Sequence, residues 1–286
     1  EELSGWADQW RKLACGVPFR QWEWMSNWWD LYGTDLSPNA PSRQLYIVSV
    51  HDDSGDLIAV APWFIEHTTS LGRVIRFLGT GEVCSEYLSI LCQRDREREV
   101  AKLLADFVCH DSPSLGDWLH GDEVPRWDQF QLEGIDARDR TISLFAAEMK
   151  KHRKTVEYIA QHNCWRLQLP NNWDDLVKAV PKSQRKHLRR AHDRLEDTDN
   201  FRVVTVEGPL EFERGFEILT QLHEARWHDQ GHNGCFSSET FRLFHERVAT
   251  SLLEHEKLRL FWVEYQGKPI ACEYQLLGNG VVHLYQ

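Results

Sequence analysis

The stretch "LRLFWVEYQGKPIACEYQL", residues 258–276, is an apolar run, a Gly-containing break, and a second apolar run. An earlier stretch, "RQLYIVSVHDDSGDLIAVAPWFI" at 43–65, has the same plan, and in both the second run opens with Ile-Ala or Leu-Ile-Ala. Aromatic and β-branched residues fill the runs, as strands prefer. Gly267 and the Asp-Asp-Ser-Gly-Asp segment at 52–56 supply turn chemistry. Each stretch therefore reads as a β-hairpin. Two hairpins alone are common. Two hairpins each preceded by helices suggest one supersecondary plan used twice.

Working outward, residues 4–15 recur at helical spacing through Trp6, Trp10 and Leu13, with Ser4 as a candidate cap. A second aromatic helix spans 20–32 and closes at Gly33. After the first hairpin, 73–79 and 85–92 read as strands, 96–110 as an amphipathic helix, 127–135 as a strand and 141–152 as a helix. The pattern restarts near 165. Residues 164–169 (CWRLQL) read as a strand and 172–180 as a short helix stopped by Pro181, with a basic helix following. Then come a strand at 201–207, helices at 210–231 and 237–256, and three strands to the end. The expected division is 1–164 and 165–286, within an α/β (α+β) fold.

Composition narrows the function. The chain has 286 residues, enough for one large or two ordinary cores. Its formal net charge of -11 argues against non-specific nucleic-acid binding by the whole surface. No apolar run approaches the roughly 20 residues of a membrane span. The N-terminus, EELSGWADQW, lacks the apolar core of a signal peptide. Seven cysteines, an odd number with no C-x-x-C pair, fit a reducing compartment and packing roles. Thirteen tryptophans include the cluster Trp22, Trp24, Trp28 and Trp29. The simpler reading of that cluster is core packing, and the other is a carbohydrate platform.

Against the acidic whole stands "KSQRKHLRRAHDRL" at 182–195. On a helix, Arg185 pairs with Arg189 and Lys186 with Arg190 at i, i+4, with Leu188 and Leu195 as inward positions. Like charges at that spacing repel by a few tenths of a kcal/mol per pair. A bound phosphate would relieve this, since Arg clamps phosphate oxygens in bidentate fashion. A solvated face partly neutralised by Asp193 and Glu196 is the equal alternative.

Other candidates are weaker. "HEARWH" at 223–228 spaces its histidines i, i+5, so they diverge by about 140° and do not form a zincin pair. His223, His228, His232 and Cys235 could still gather around a metal at the helix end, although helix-end histidines are the default. There is no Gly-x-Ser-x-Gly elbow, P-loop or Gly-x-Gly-x-x-Gly. On strand 270–276, alternation sets Glu273 and Gln275 opposite Cys272 and Tyr274. Glu273 reads either as a general base held in an apolar strand or as a residue pointing to water.

Three segments in order then resemble a known family: "SQRKHLRRAHDRLED", "LTQLHEARWHDQGHNGCF" and "LRLFWVEYQGKPIACEYQLLGNGVVHLYQ". With "FLGTG" and "SEYL" in the first half, they are similar to the GNAT-type acetyltransferases associated with cellulose and exopolysaccharide biosynthesis. That is the CelD/BcsL-like group, itself similar to the Fem peptidyltransferases. The resemblance implies two tandem GNAT-like domains with mixed sheets flanked by helices. It implies acyl transfer from acetyl-CoA or another acyl-CoA to an amine or hydroxyl of a sugar or cell-envelope precursor. By analogy with Fem proteins, the donor would instead be aminoacyl-tRNA. The resemblance places Arg185, Arg189 and Arg190 toward donor phosphates, on a wall of the cleft between domains. It places His223, Arg226 and Trp227 toward the acceptor, and Glu273 with Tyr285 in catalysis.

No metal is expected, and the cytoplasm is the expected compartment. In that family a Pro-Gly loop and helix follow the Tyr-Gln pair, so the resemblance implies a truncated chain with an incomplete second domain. Two alternatives of other classes stand beside it. One is a GNAT-like binding module for a phosphorylated glycan or partner protein, and the other is an RNA binder through 182–194.

Overall fold

The computed structural model describes residues 5–34, 41–109, 126–160, 163–196 and 200–286, and the Ser4 cap lies outside them. The fold is α+β with two sheets. The chain forms two compact units. The first comprises Glu1–Val156, Ser237–Lys257 and Leu276–Val282. The second comprises Glu157–Phe236, Leu258–Gln275 and His283–Gln286.

The first sheet is built around the hairpin expected at 43–65. β1 (Ser42–His51) pairs antiparallel with β2 (Leu57–Thr68), and β2 with β3 (Gly72–Phe77). The short β4 (Leu91–Cys92) also pairs with β2, and β5 (Gln129–Phe130) runs parallel to β3. The sheet is therefore mixed. β2 is buried continuously from Leu57 to Glu66, because it has partners on both edges and is covered on both faces. Its sequence accordingly reads as an unbroken apolar run and not as an alternation. The expected strands at 85–92 and 127–135 shrink to two residues each. The remaining residues of those segments are irregular, with left-handed Tyr87 and Gly134.

Helices α1 (Ala7–Leu13), α2 (Trp22–Tyr32), α3 (Glu97–Cys109) and α4 (Arg140–Lys151) belong to this unit. α4 begins at Asp139, whose side chain accepts from the Ile142 N–H. The tryptophan cluster is core: Trp24 and Trp28 are buried, while Trp22 and Trp29 are half-buried. The Trp24 Nε1–H donates to Ser85 Oγ at 2.7 Å. The Trp24 ring meets Phe19 and Phe244 edge-on, each at 5.0 Å.

The second unit holds α5 (Trp173–Ala179), α6 (Lys182–Leu195) and α7 (Pro209–His228). The second sheet has the order β6 (Phe201–Thr205), β7 (Leu258–Tyr265), β8 (Lys268–Gly278), β9 (Val281–Leu284). The decisive stretch at 258–276 is thus β7 and most of β8, as expected. α8 (Glu239–Glu254) starts at Ser238, whose hydroxyl accepts from the Phe241 N–H, and α8 falls in the first unit.

Two expectations fail here. Residues 164–169 form no strand: Trp165, Leu167 and Leu169 are exposed, and among the described residues no strand pairs with them. Alternation alone cannot make a strand without a partner edge. On α6, Leu188 is only half-buried and Leu195 is 45% exposed, so no residue of this helix is buried. Among the described residues, no helix is long and apolar enough to cross a membrane.

Candidate active site

α7 ends in a left-handed turn. Gly231 has φ +79°, and the His232 N–H returns to the Trp227 carbonyl at 3.0 Å. Glycine is suited to this turn because a side chain at such φ meets its own backbone. The chain then folds back along the helix it has just left. The Gly234 N–H donates to Glu224 Oε2 at 3.3 Å, and the Cys235 N–H to His223 Nε2 at 3.3 Å. Cys235 Sγ lies 3.3 Å from the same Nε2. The buried Phe236 locks the loop, with its ring edge-on to His223 at 5.2 Å and to Phe216 at 5.8 Å. From the other direction the Gln286 amide donates to Cys235 Sγ at 3.5 Å.

This close return depends on Gly234. A Cβ there would lie 2.6 Å from His223 Cδ2 and still closer to Glu224 Oε1. Gly234→Ala is expected to push the loop off α7 and destabilise the protein by about 1–3 kcal/mol, read in a denaturant titration. A change within error would mean that the return is loosely held.

The electrostatics of His223 follow from its place. Burial lowers its pKa, Glu224 raises it less, and Arg226 lowers it further. Its Nε2 receives the Cys235 N–H, so the accepting lone pair is on Nε2 and the ring proton on Nδ1. Here the imidazole is a neutral base whose acceptor nitrogen faces a thiol.

The residues expected from sequence are partly brought together. His223 joins Cys235, and Cys235 joins Gln286, the neighbour of Tyr285. The Tyr285 N–H donates to the Tyr274 carbonyl at 3.0 Å, and the two rings meet edge-on at 5.7 Å. Arg226 and Trp227 are exposed on the last turn of α7, with the Trp227 ring 6.1 Å from His223. Glu273 is half-buried on β8, next to the buried Tyr274. The face that Glu273 shares with Gln275 is not simply open to water, since Gln275 is buried.

The basic helix divides its arginines. Arg185 donates to the Val180 and Lys178 carbonyls at 2.9 and 2.6 Å, closing the C-terminal end of α5. Arg189 and Arg190 are exposed, as are Lys182 and Lys186. Among the described residues none of these four is in an ion pair. Of the acidic neighbours, Glu196 lies 3.7 Å from His192. His192, Asp193 and Glu196 form an exposed group of possible metal ligands, without further support. Among the described residues His223, His228, His232 and Cys235 do not gather as such a group.

Sequence reasoning treated Cys235 as packing, or as one of four metal ligands. Its pairing with His223, twelve residues earlier, requires the loop to double back. The Gly-x-x-Gly-Cys spacing after α7 was the signal for such a return.

Residues 182–286 match the family model described as the acetyltransferase (GNAT) domain. The match begins at the first residue of α6 and takes in α7, the Cys235 loop and the whole second sheet. This segment is therefore similar to GNAT acetyltransferase domains, which use acyl-CoA as co-substrate. No relative matches among curated proteins.

Proposed function

We propose that the protein is an acyltransferase that moves an acyl group from acyl-CoA to an amine or hydroxyl of a small sugar or cell-envelope precursor. The observation that carries this reading is the match of 182–286 to the GNAT domain, together with a first helix whose exposed cations have no ion-pair partners among the described residues. Coenzyme A brings a pyrophosphate and a 3′-phosphate, and Arg189 and Arg190 suit them by charge and hydrogen-bonding geometry. Arg185 supports the turn between α5 and α6 and so holds that face in place.

The thioester supplies an activated carbonyl. Glu273 takes the proton from the attacking acceptor, directly or through water. Tyr285 gives a proton to the departing thiolate. Arg226 and Trp227, exposed beside His223, offer the acceptor a hydrogen-bonding cation and a flat apolar surface on which sugar rings can rest. The half-burial of Glu273 beside Tyr274 supports its assignment as a base kept from bulk water.

Replacing Arg189 and Arg190 together by Glu is expected to weaken acetyl-CoA binding by at least about 100-fold, since charge-assisted hydrogen bonds contribute ~1.5–3 kcal/mol each. The melting temperature should not change, because both side chains are exposed. Equilibrium dialysis with acetyl-CoA measures the effect. Equal affinity in the variant would remove α6 from the donor site.

A further inference from the structure

Within that acyltransferase reading, on which this inference rests, we propose that Cys235 is an acyl-carrying nucleophile activated by His223. Transfer then proceeds through a thioester on the protein.

Three features of the second unit support this. Cys235 Sγ stands 3.3 Å from His223 Nε2, within reach of proton transfer. The backbone N–H of Cys235 fixes the same nitrogen as the acceptor, so the tautomer needed for a base is already set. Cys235 is half-exposed, so the sulfur is not sealed in a core. Two other half-buried cysteines differ. Burial pushes the Cys92 and Cys272 thiols up to about 12, which keeps them protonated and inert. Cys15, Cys84 and Cys164 are exposed.

The step balances without an oxidant or reductant. His223 Nε2 takes the Sγ–H proton as Sγ attacks the carbonyl carbon of acyl-CoA. The carbon–sulfur bond to coenzyme A breaks, Tyr285 protonates the departing thiolate, and the proton held by His223 passes to Tyr285 to restore it. The products are acyl-Cys235 and free coenzyme A. In the second half the acceptor amine or hydroxyl attacks the Cys235 thioester. Glu273 takes its proton, Sγ leaves as the thiolate, and that proton passes from Glu273 back to Sγ through water and His223, which returns both groups to their starting state. The Gln286 amide donates to Sγ and so favours the sulfur when it carries negative charge, as in each departure. His223 thereby acts as a base and not as an acceptor contact.

The test needs no acceptor. The protein that carries this sequence is incubated with acetyl-CoA alone, and the cysteine peptides are read by mass spectrometry. Cys235 should gain one acetyl group, removable by hydroxylamine, with one equivalent of coenzyme A released. Cys15 and Cys84 should label far more slowly and serve as internal references for uncatalysed acetylation. Cys235→Ala should abolish the fast label. His223→Gln should slow it about 100-fold at unchanged acetyl-CoA affinity, the usual scale of a lost general base. The glutamine variant keeps the test decisive if the alanine variant fails to fold.

Acetyl-CoA binding with no label on Cys235, or with a label that ignores His223, overturns the covalent step and leaves the acyltransferase reading standing. No acetyl-CoA binding at all overturns both.

Discussion

Trp24→Ala is expected to destabilise the protein by about 3–5 kcal/mol, the range for removing a fully buried large aromatic ring. Trp24 has no exposed surface, and its ring touches Phe19, Phe244 and His245. Its indole N–H is the donor to Ser85 Oγ, so the variant also strands a buried hydroxyl. The space left would be ringed by aromatic side chains already packed on one another, which collapse poorly into a void. A denaturant titration followed by tryptophan fluorescence would give the value. A loss below about 1 kcal/mol would mean that the α2 aromatics are not the centre of this core.

Acid should unfold the same region through one histidine. His245 has no exposed surface, and burial pulls its pKa down to about 3. In the unfolded chain the ring has an ordinary pKa near 6.5. Between those values the unfolded state binds a proton that the folded state refuses. Its contribution is therefore fully present above pH ~6.5 and is lost as the pH falls toward ~3, by a few kcal/mol in all. His245→Phe should flatten the fall in stability between pH 7 and 4, measured as denaturation midpoints across that range. An unchanged slope would place the acid sensitivity in carboxylates such as Asp106. The Lys102 ammonium holds that carboxyl below its usual value, aided by His152.

How much of this was legible in the sequence varies by element. The two hairpins were, because strand composition and turn residues agree and the partner strand lies next in sequence. α3, α4 and α8 were, because their apolar faces repeat over several turns. The strand expected at 164–169 was misread: Trp165, Leu167 and Leu169 alternate correctly, yet pairing is a property of the neighbour and not of the segment. The assignment of α8 to the unit containing α2 was also invisible, since Phe244 and Trp24 meet across more than two hundred residues.

The candidate site was legible in pieces. The α6 cations, the His223 helix and Tyr285 stand out as charge, motif and strand. Their chemistry does not, because it depends on Cys235 returning to His223, on Gln286 reaching Cys235, and on Arg185 turning away to the α5 carbonyls. Each of these is a contact between segments, fixed by one glycine turn or one helix end.

The central claim is that this protein takes an acyl-CoA. Calorimetric titration of acetyl-CoA into the protein that carries these residues tests it most directly. Saturable one-to-one binding is expected, displaced by free coenzyme A. An absence of saturable binding, with a phosphorylated glycan or an aminoacyl-tRNA binding in its place, would contradict the account.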